Sequence, residues 1–130
     1  MKRLVFDLDG TLTEDDPTID YSLRKPDSAV VKRLREYKAL GFTIIIATAR
    51  NMRAHSNNIG KINAQTMPVI LRWLERYEIP YDELYIGKPW CGTEGFYVDD
   101  KAIRPSEFVS MEYTAIVKLL EYERNSGVTS

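Results

Sequence analysis

The chain is poor in the two side chains on which many metal centres and covalent crosslinks depend. It has one histidine and one cysteine among 130 residues. A single cysteine excludes an internal disulfide, and a single histidine excludes a His-based metal cluster. Because disulfides are rare in reducing compartments, this usage fits a cytoplasmic protein. Cys91 itself is interpreted as structural or incidental, and any site chemistry must rest on carboxylates, hydroxyls and basic groups.

Long apolar runs and a surplus of charge are also lacking. No apolar run approaches the ~20 residues that span a bilayer, and the apolar N-terminal stretch meets Asp7 and Asp9 too soon to be a signal peptide. The formal net charge of −1 argues against a dedicated nucleic-acid binder, since such proteins carry a basic surplus. We expect a cytoplasmic protein that binds neither a membrane nor nucleic acid.

The length favours one domain over residues 1–130, with a core to about residue 124 and a frayed tail over 125–130. Short apolar runs alternate with amphipathic helical stretches, which predicts a Rossmann-like, doubly wound, mostly parallel α/β sheet. The expected strands cover 2–8, 42–47, 84–86 and 96–98. The expected helices cover 27–40, 66–77 and 112–124, with a helical turn at 104–108 and an Asn-rich loop over 49–65.

Two helices carry clear signals at their ends. Asp27 after Pro26 starts the first helix and Gly41 stops it, while Thr66 is expected to cap the second, with Pro68 in its first turn. The apolar stripe of the first helix comprises Val30, Val31, Leu34, Tyr37 and Leu40. That of the second comprises Val69, Ile70, Trp73, Leu74 and Tyr77.

Polar side chains follow the predicted strands. Asp7 and Asp9 are two residues apart and therefore share a face of the strand. Two adjacent carboxylates repel each other, and a hard divalent cation relieves this repulsion. Asp99 and Asp100 add further carboxylate oxygens after a later strand. The sequence therefore predicts, at the carboxyl edge of the sheet, a Mg²⁺ site that binds a phosphate group of the substrate.

The other two strand ends carry groups that suit phosphoryl transfer. Thr48 offers a hydroxyl and a backbone N–H, and Lys88 offers a compact positive charge for a phosphoryl oxygen. An aspartate can act as nucleophile and form an aspartyl-phosphate, and a second carboxylate can act as general acid and base. Asp9, beside Asp7, is placed for that second role.

These segments resemble the four motifs of the haloacid dehalogenase superfamily of phosphatases. Asp7-Leu8-Asp9-Gly10-Thr11-Leu12 is similar to the first motif and Ile44-Ile45-Ile46-Ala47-Thr48 to the second. Lys88 matches the third motif and Val98-Asp99-Asp100 the fourth, all in the family's order. The resemblance implies Asp7 as nucleophile and metal ligand, Asp9 as acid/base with its carbonyl on the metal, and Thr48 and Lys88 on the phosphoryl group. It further implies Asp99 as a direct Mg²⁺ ligand, with Asp100 acting through water or orienting Lys88.

Several stretches look closest to a group of capsule-biosynthesis phosphatases within that superfamily. They include Thr48–Arg53, Gly60–Asn63, Gly87–Trp90 and Phe96–Pro105. This narrower resemblance implies a sugar or polyol phosphate as substrate. The candidate substrate-binding residues are Gly10, Thr11, Ala49, Arg50, Lys61 and Trp90.

Simpler interpretations stand beside several of these residues. Arg50, Arg53 and Lys61 fit a solvated loop as well as they fit binding of an anionic part of the substrate, and His55 is favoured as a surface loop residue. Core packing suits Trp90 as well as stacking on a sugar ring does. Glu14, Asp15 and Asp16 are interpreted as a solvated loop of charges.

Neither gap between the motifs can hold a domain with its own core, so the chain resembles a capless member of the superfamily. Since a capless site is open unless another subunit covers it, we expect a homo-oligomer.

Three alternative functions remain open from the sequence. An open site would also admit a polymer end such as a nucleic-acid 3′-phosphate, although the balanced charge weakens this. A receiver-like signalling domain has similar residues but places its paired acids and its phospho-acceptor on different strands from those here. A binding-only relative would be expected to lose a catalytic acid, and none is lost.

Overall fold

The computed structural model describes residues 1–129. Three strands, β1 (Arg3–Phe6), β2 (Thr43–Ala47) and β3 (Glu83–Tyr85), form a sheet in the order β1-β2-β3. Both pairings are parallel, with Leu4 opposite Ile44 and Ile46 opposite Leu84. The sheet and its helices confirm the predicted Rossmann-like α/β class.

The helices are distributed over two compact units, Met1–Trp90 and Cys91–Ser130. In the first unit they are α1 (Ser28–Ala39), α2 (Ile59–Lys61) and α3 (Met67–Arg76), with a 3₁₀ turn at Tyr21–Leu23. In the second they are α4 (Pro105–Ser110) and α5 (Tyr113–Thr129). That the two units make one domain stays a prediction from length. No helix in the described part of the chain combines the length and apolar character needed to cross a membrane.

Helix α1 begins and ends where its sequence predicts. The Asp27 carboxylate accepts a hydrogen bond of 3.2 Å from the Val30 N–H, and Gly41 adopts a φ of +94° directly after the helix. Val30, Val31, Leu34 and Tyr37 are buried, but Leu40 is 70% exposed. Its place in the apolar stripe was wrong, because the chain already leaves the helix at Leu40 to form the turn.

The expected loop over 49–65 is wrong in its second half. Asn58 starts a helix, since its side chain accepts a hydrogen bond from the Lys61 N–H. Helical backbone then continues through a π-helical turn at Ile62–Thr66 into α3. Thr66 is helical and makes no capping bond, so its predicted role as a cap is also wrong.

Pro68 explains the π-helical turn. Proline has no N–H to donate to the carbonyl four residues back, and its ring crowds that carbonyl. The helix widens locally, and the Met67 N–H bonds instead to the carbonyl of Ile62, five residues back. The buried face of α3 follows the predicted stripe, with Ile70, Trp73 and Leu74 in the core.

Two expectations fail in the second unit. Residues 96–98 form no strand, and Phe96, Tyr97 and Val98 are 79%, 50% and 88% exposed. A three-residue run forms few backbone hydrogen bonds, and apolar side chains alone do not provide a neighbouring strand with which it can pair. The tail expected to fray from Asn125 is helical to Thr129, as part of α5. Ser130 lies outside the described residues.

Candidate active site

The ends of the three strands bring the first three motifs together. Asp7 follows β1 directly, and Thr48 follows β2 directly. The Thr48 N–H donates to the Tyr85 carbonyl at 2.9 Å, and the Lys88 N–H donates to the Thr48 carbonyl at 3.1 Å. These two bonds extend the pairing of β2 with the chain after β3. Lys88 is thereby held beside the strand ends.

Gly87 makes the turn that presents Lys88. Its φ is +83°, and a Cβ at this position would lie 2.7 Å from Cδ1 of Ile59. Both the left-handed backbone and the close approach of Ile59 require glycine. The Lys88 ammonium then lies 3.8 Å from Oδ1 of Asp7.

The Asp7 carboxylate is partly open to solvent, with 38% of its side chain exposed. Burial of the remainder raises the pKa of this carboxyl above its usual range, and the neighbouring charges of Asp9 and Asp15 add to the rise. The Lys88 ammonium and a backbone hydrogen bond from Leu8 oppose it. The site therefore favours additional positive charge near Asp7.

A tight loop presents the acidic pair. The Leu8 carbonyl accepts hydrogen bonds from the N–H groups of Thr11, Leu12 and Thr13 at 3.3, 2.9 and 3.0 Å. Leu8 and Leu12 are fully buried, so the core holds the loop at both ends. Gly10 has a φ of +80° between them.

Asp9 is held by two arginines. The Arg50 guanidinium binds it in a bidentate fashion, with Nε 3.1 Å from Oδ2 and Nη2 2.8 Å from Oδ1. Nη1 of Arg24 lies 3.6 Å from the same Oδ1. The Asp9 side chain is 22% exposed. The two acids of the first motif therefore have different cationic partners.

Arg50 and Thr48 are both buried and linked. The Arg50 side chain is 1% exposed, its Nη1 is buried without a hydrogen-bond partner in the structure, and its backbone N–H donates to Oγ1 of Thr48 at 3.1 Å. The Thr48 N–H already donates to the Tyr85 carbonyl. Thr48 can therefore donate to a ligand only through its hydroxyl group. Arg50, predicted to bind substrate, has two of its nitrogens on Asp9.

Sequence reasoning missed Tyr21 and Arg24. Arg24 is 7% exposed, and its guanidinium carbon lies 4.2 Å from the centroid of the Tyr21 ring, as does that of Arg50. Neither residue belongs to a recognisable motif, so no local signal in the sequence distinguishes them. Asp15, expected in a solvated loop, also faces Arg24, with 3.6 Å between Oδ1 and Nη1.

The remaining predicted site residues lie more openly. Trp90 is 44% exposed, and the Arg53 guanidinium carbon lies 5.3 Å from its ring centroid. Lys61 is exposed at the end of α2, and Thr11 and Ala49 are half-buried.

Asp99 and Asp100 belong to the second unit and are exposed, and Asp99 accepts a hydrogen bond from the Lys101 N–H at 2.8 Å. Among the described residues, no three His, Cys, Asp or Glu side chains are grouped to hold a metal ion. The metal ligation assigned to Asp99 and Asp100 stays a prediction from the order of the motifs.

A parallel α/β sheet with carboxylates, a threonine and a lysine at its carboxyl edge is typical of α/β proteins that bind their ligand beyond the carboxyl ends of the strands. A family model for haloacid dehalogenase-like hydrolases matches residues 4–72, more than half of the chain. The chain therefore belongs to the haloacid dehalogenase-like hydrolases, which confirms the superfamily resemblance.

Solved structures extend this comparison. A crystal structure of an MCSG target from Vibrio cholerae is 54% identical with a TM-score of 0.92, over 95% of this chain and 99% of that one. A chain of the Pnkp1/Rnl/Hen1 complex is 25% identical with a TM-score of 0.51, over 76% of this chain and 30% of that one. A search of curated proteins found no match.

Proposed function

We propose that the chain is a Mg²⁺-dependent phosphomonoesterase that works through an aspartyl-phosphate on Asp7. The observation that carries this proposal is the different setting of two carboxylates only two residues apart. Asp7 is partly open and faces Lys88, whereas Asp9 is fixed by Arg50 and Arg24. A nucleophile must reach the substrate, and a general acid must keep its place beside the leaving group.

The chain's own residues account for the steps. An Asp7 oxygen attacks phosphorus while the bond to the alcohol oxygen breaks, and Asp9, which enters this step in its protonated form, gives that oxygen its proton. Water then attacks the aspartyl-phosphate and loses a proton to Asp9, which releases phosphate and restores Asp7. The Lys88 ammonium balances negative charge on the phosphoryl oxygens, and the Thr48 hydroxyl donates to one of them.

The first-unit residues suit a divalent cation in their chemistry. The burial that raises the pKa of the Asp7 carboxyl, together with the nearby Asp9 and Asp15 charges, favours a cation with oxygen ligands. Asp7 and the Asp9 carbonyl would supply two of those ligands. A bound Mg²⁺ would neutralise charge on the phosphoryl group.

For the substrate we propose a phosphorylated sugar or polyol used in capsule or other surface-polysaccharide synthesis, in a cytoplasmic homo-oligomer. Support comes from the sequence segments that resemble capsule-biosynthesis phosphatases and from the exposed Trp90 beside Arg53. An indole face with an adjacent guanidinium suits a ring that carries hydroxyl groups and charge. Family membership as a hydrolase favours this function over a receiver-like domain.

A metabolite screen tests the proposal. Purified chain with Mg²⁺ is offered phosphorylated sugars, polyols and a nucleic-acid 3′-phosphate, and phosphate release is measured, with the Asp7→Asn variant as the blank. We expect turnover of a sugar or polyol phosphate that stops on chelation of divalent metal. Release from the nucleic-acid end alone would support the polymer-end alternative, and activity indifferent to chelator would remove the metal from the proposal.

A further inference from the structure

Arg24 lies in the site, but neither the four motifs nor the proposed phosphatase steps assign it a role. It lies on the segment between the first motif and α1, close to Asp9 in space but fifteen residues later in the chain. A buried guanidinium loses hydration, so it is stable only where hydrogen bonds and opposite charges replace the water. What Arg24 contacts therefore indicates what it does.

Backbone contacts fix Arg24 from two directions. Its Nε donates to the Ile19 carbonyl at 3.1 Å, and its own carbonyl accepts a 2.7 Å hydrogen bond from the indole N–H of buried Trp73. The segment is thus anchored to α3 at this residue. The position of the guanidinium is set by the fold and does not depend on its carboxylate partners alone.

The fixed guanidinium reaches two carboxylates. Nη1 lies 3.6 Å from Oδ1 of Asp9 and 3.6 Å from Oδ1 of Asp15. Arg50 approaches Asp9 from the segment after β2. When Asp9 is ionised, as it is after it has given up its proton, two positive and two negative side chains meet at this point and their formal charges balance.

Tyr21 joins the two arginines. Both guanidinium carbons lie 4.2 Å from its ring centroid, within the range of a cation–π contact. The Tyr21 ring therefore lies against both guanidinium groups. Asp9 therefore sits in a clamp formed by Arg24, Arg50 and Tyr21, whose parts come from two separate segments.

We infer that Arg24 is a positioning residue, which holds the Asp9 carboxyl where it protonates the leaving oxygen. This inference rests on the proposed phosphatase function and deepens it. A displaced general acid slows release of a leaving group that needs a proton. It has little effect on a leaving group that departs as a stable anion.

The test compares two esters, phenyl phosphate and dinitrophenyl phosphate, whose leaving groups differ in their need for a proton. We expect Arg24→Gln to lower kcat/KM for phenyl phosphate by about 10- to 100-fold and for dinitrophenyl phosphate by no more than about threefold. Arg24→Lys keeps the charge. We expect its ratio of kcat/KM for phenyl phosphate to kcat/KM for dinitrophenyl phosphate to lie between the ratios of Arg24→Gln and the wild type.

Arg35→Gln is the matched control. Arg35 also donates to backbone carbonyls, those of Tyr77 and Glu78 at 2.9 and 3.2 Å, but contacts no acid of the site. We expect this variant to melt at a lower temperature with the wild-type ratio between esters.

Equal losses on both esters by a folded Arg24→Gln variant, or no loss at all, would overturn the role of Arg24 while leaving the phosphatase function intact. A change of the ratio in Arg35→Gln as large as that in Arg24→Gln would also overturn it. A wild-type chain that hydrolyses neither ester and releases phosphate from no sugar or polyol phosphate would overturn the proposed function itself, and this inference with it.

Discussion

The surroundings of Asp7 and Asp9 differ more than their spacing in the sequence suggests. Asp7 is 38% exposed, with Lys88 at 3.8 Å. Asp9 is 22% exposed, with one arginine at 2.8 Å and another at 3.6 Å. One carboxylate keeps room for a ligand, and the other is held on several sides. The comparison shows how two acids of one short motif come to have different surroundings, because separate segments of the fold reach each acid.

The largest expected effect follows from removing the open carboxylate. Asp7→Asn keeps the shape of the side chain but removes the proposed nucleophile, so we expect kcat to fall by at least about 1,000-fold, which corresponds to about 4 kcal/mol. Phosphate release measures it, and circular dichroism checks the fold. Glu36→Gln, an amide substitution at an exposed ion pair with Arg33, is the control and should retain activity. Clear turnover by Asp7→Asn would exclude Asp7 as the nucleophile.

Removing the clamped carboxylate is expected to have a more selective effect. Asp9→Asn should lower kcat/KM for phenyl phosphate by about 100- to 10,000-fold and spare dinitrophenyl phosphate in large part. The reason is that only the first leaving group needs a proton from the enzyme. Equal losses on the two esters would show that Asp9 is not the general acid, and the contrast between the two carboxylates would then have no catalytic meaning.

A substitution at Gly87 tests whether activity depends on the position of Lys88 beside Asp7. We expect Gly87→Ala to lower kcat/KM by about tenfold, since left-handed backbone costs a non-glycine residue about 1–2 kcal/mol and the new Cβ would meet Ile59. Adding Ile59→Ala should restore part of the loss. Gly41→Ala is the control, because Gly41 has a φ of +94° but nothing near its Cβ position. It should lower stability and leave kcat/KM unchanged, and an equal loss in both variants would contradict this account.

The smallest effect on activity is expected at a carboxylate outside the site. Asp82 accepts hydrogen bonds of 2.8 Å from the Ile44 N–H and from Lys38. The Ile44 N–H first, and Lys38 second, hold the pKa of Asp82 below its usual range. The folded state therefore favours the ionised form, and this contribution to stability is present above the ordinary pKa and lost as the pH falls through the lowered one.

Thermal melts at several pH values measure that contribution. Asp82→Ala should lower the Tm at neutral pH, with a gap to wild type that narrows as the solution becomes acidic. Lys38→Met removes only the weaker of the two partners and should have a smaller effect. A gap that stays constant with pH would show that the charge of Asp82 does not contribute. Activity below the melting range should be that of the wild type.

Several local features of the chain were predicted correctly from the sequence, and several features that depend on distant segments were not. Asp27 and Gly41 fixed the ends of α1, and the run of isoleucines predicted β2, because capping, glycine turns and burial on both faces of a strand act over a few residues. The segment 96–98 failed as a strand because pairing depends on a partner elsewhere. The helical start at Asn58 was missed because an Asn-rich stretch is typical of a loop and because Pro68 predicted a helix that begins later.

By itself the sequence determined the class of fold and the chemistry available, since the apolar runs specify strands and the motif order specifies a hydrolase with carboxylates, threonine and lysine. It did not determine which partner each acid receives. Lys88 reaches Asp7 through the turn at Gly87, and Arg24 reaches Asp9 because Trp73 and Ile19 anchor it. These contacts join residues far apart in the chain. The difference in surroundings between two neighbouring aspartates is therefore a property of the tertiary structure.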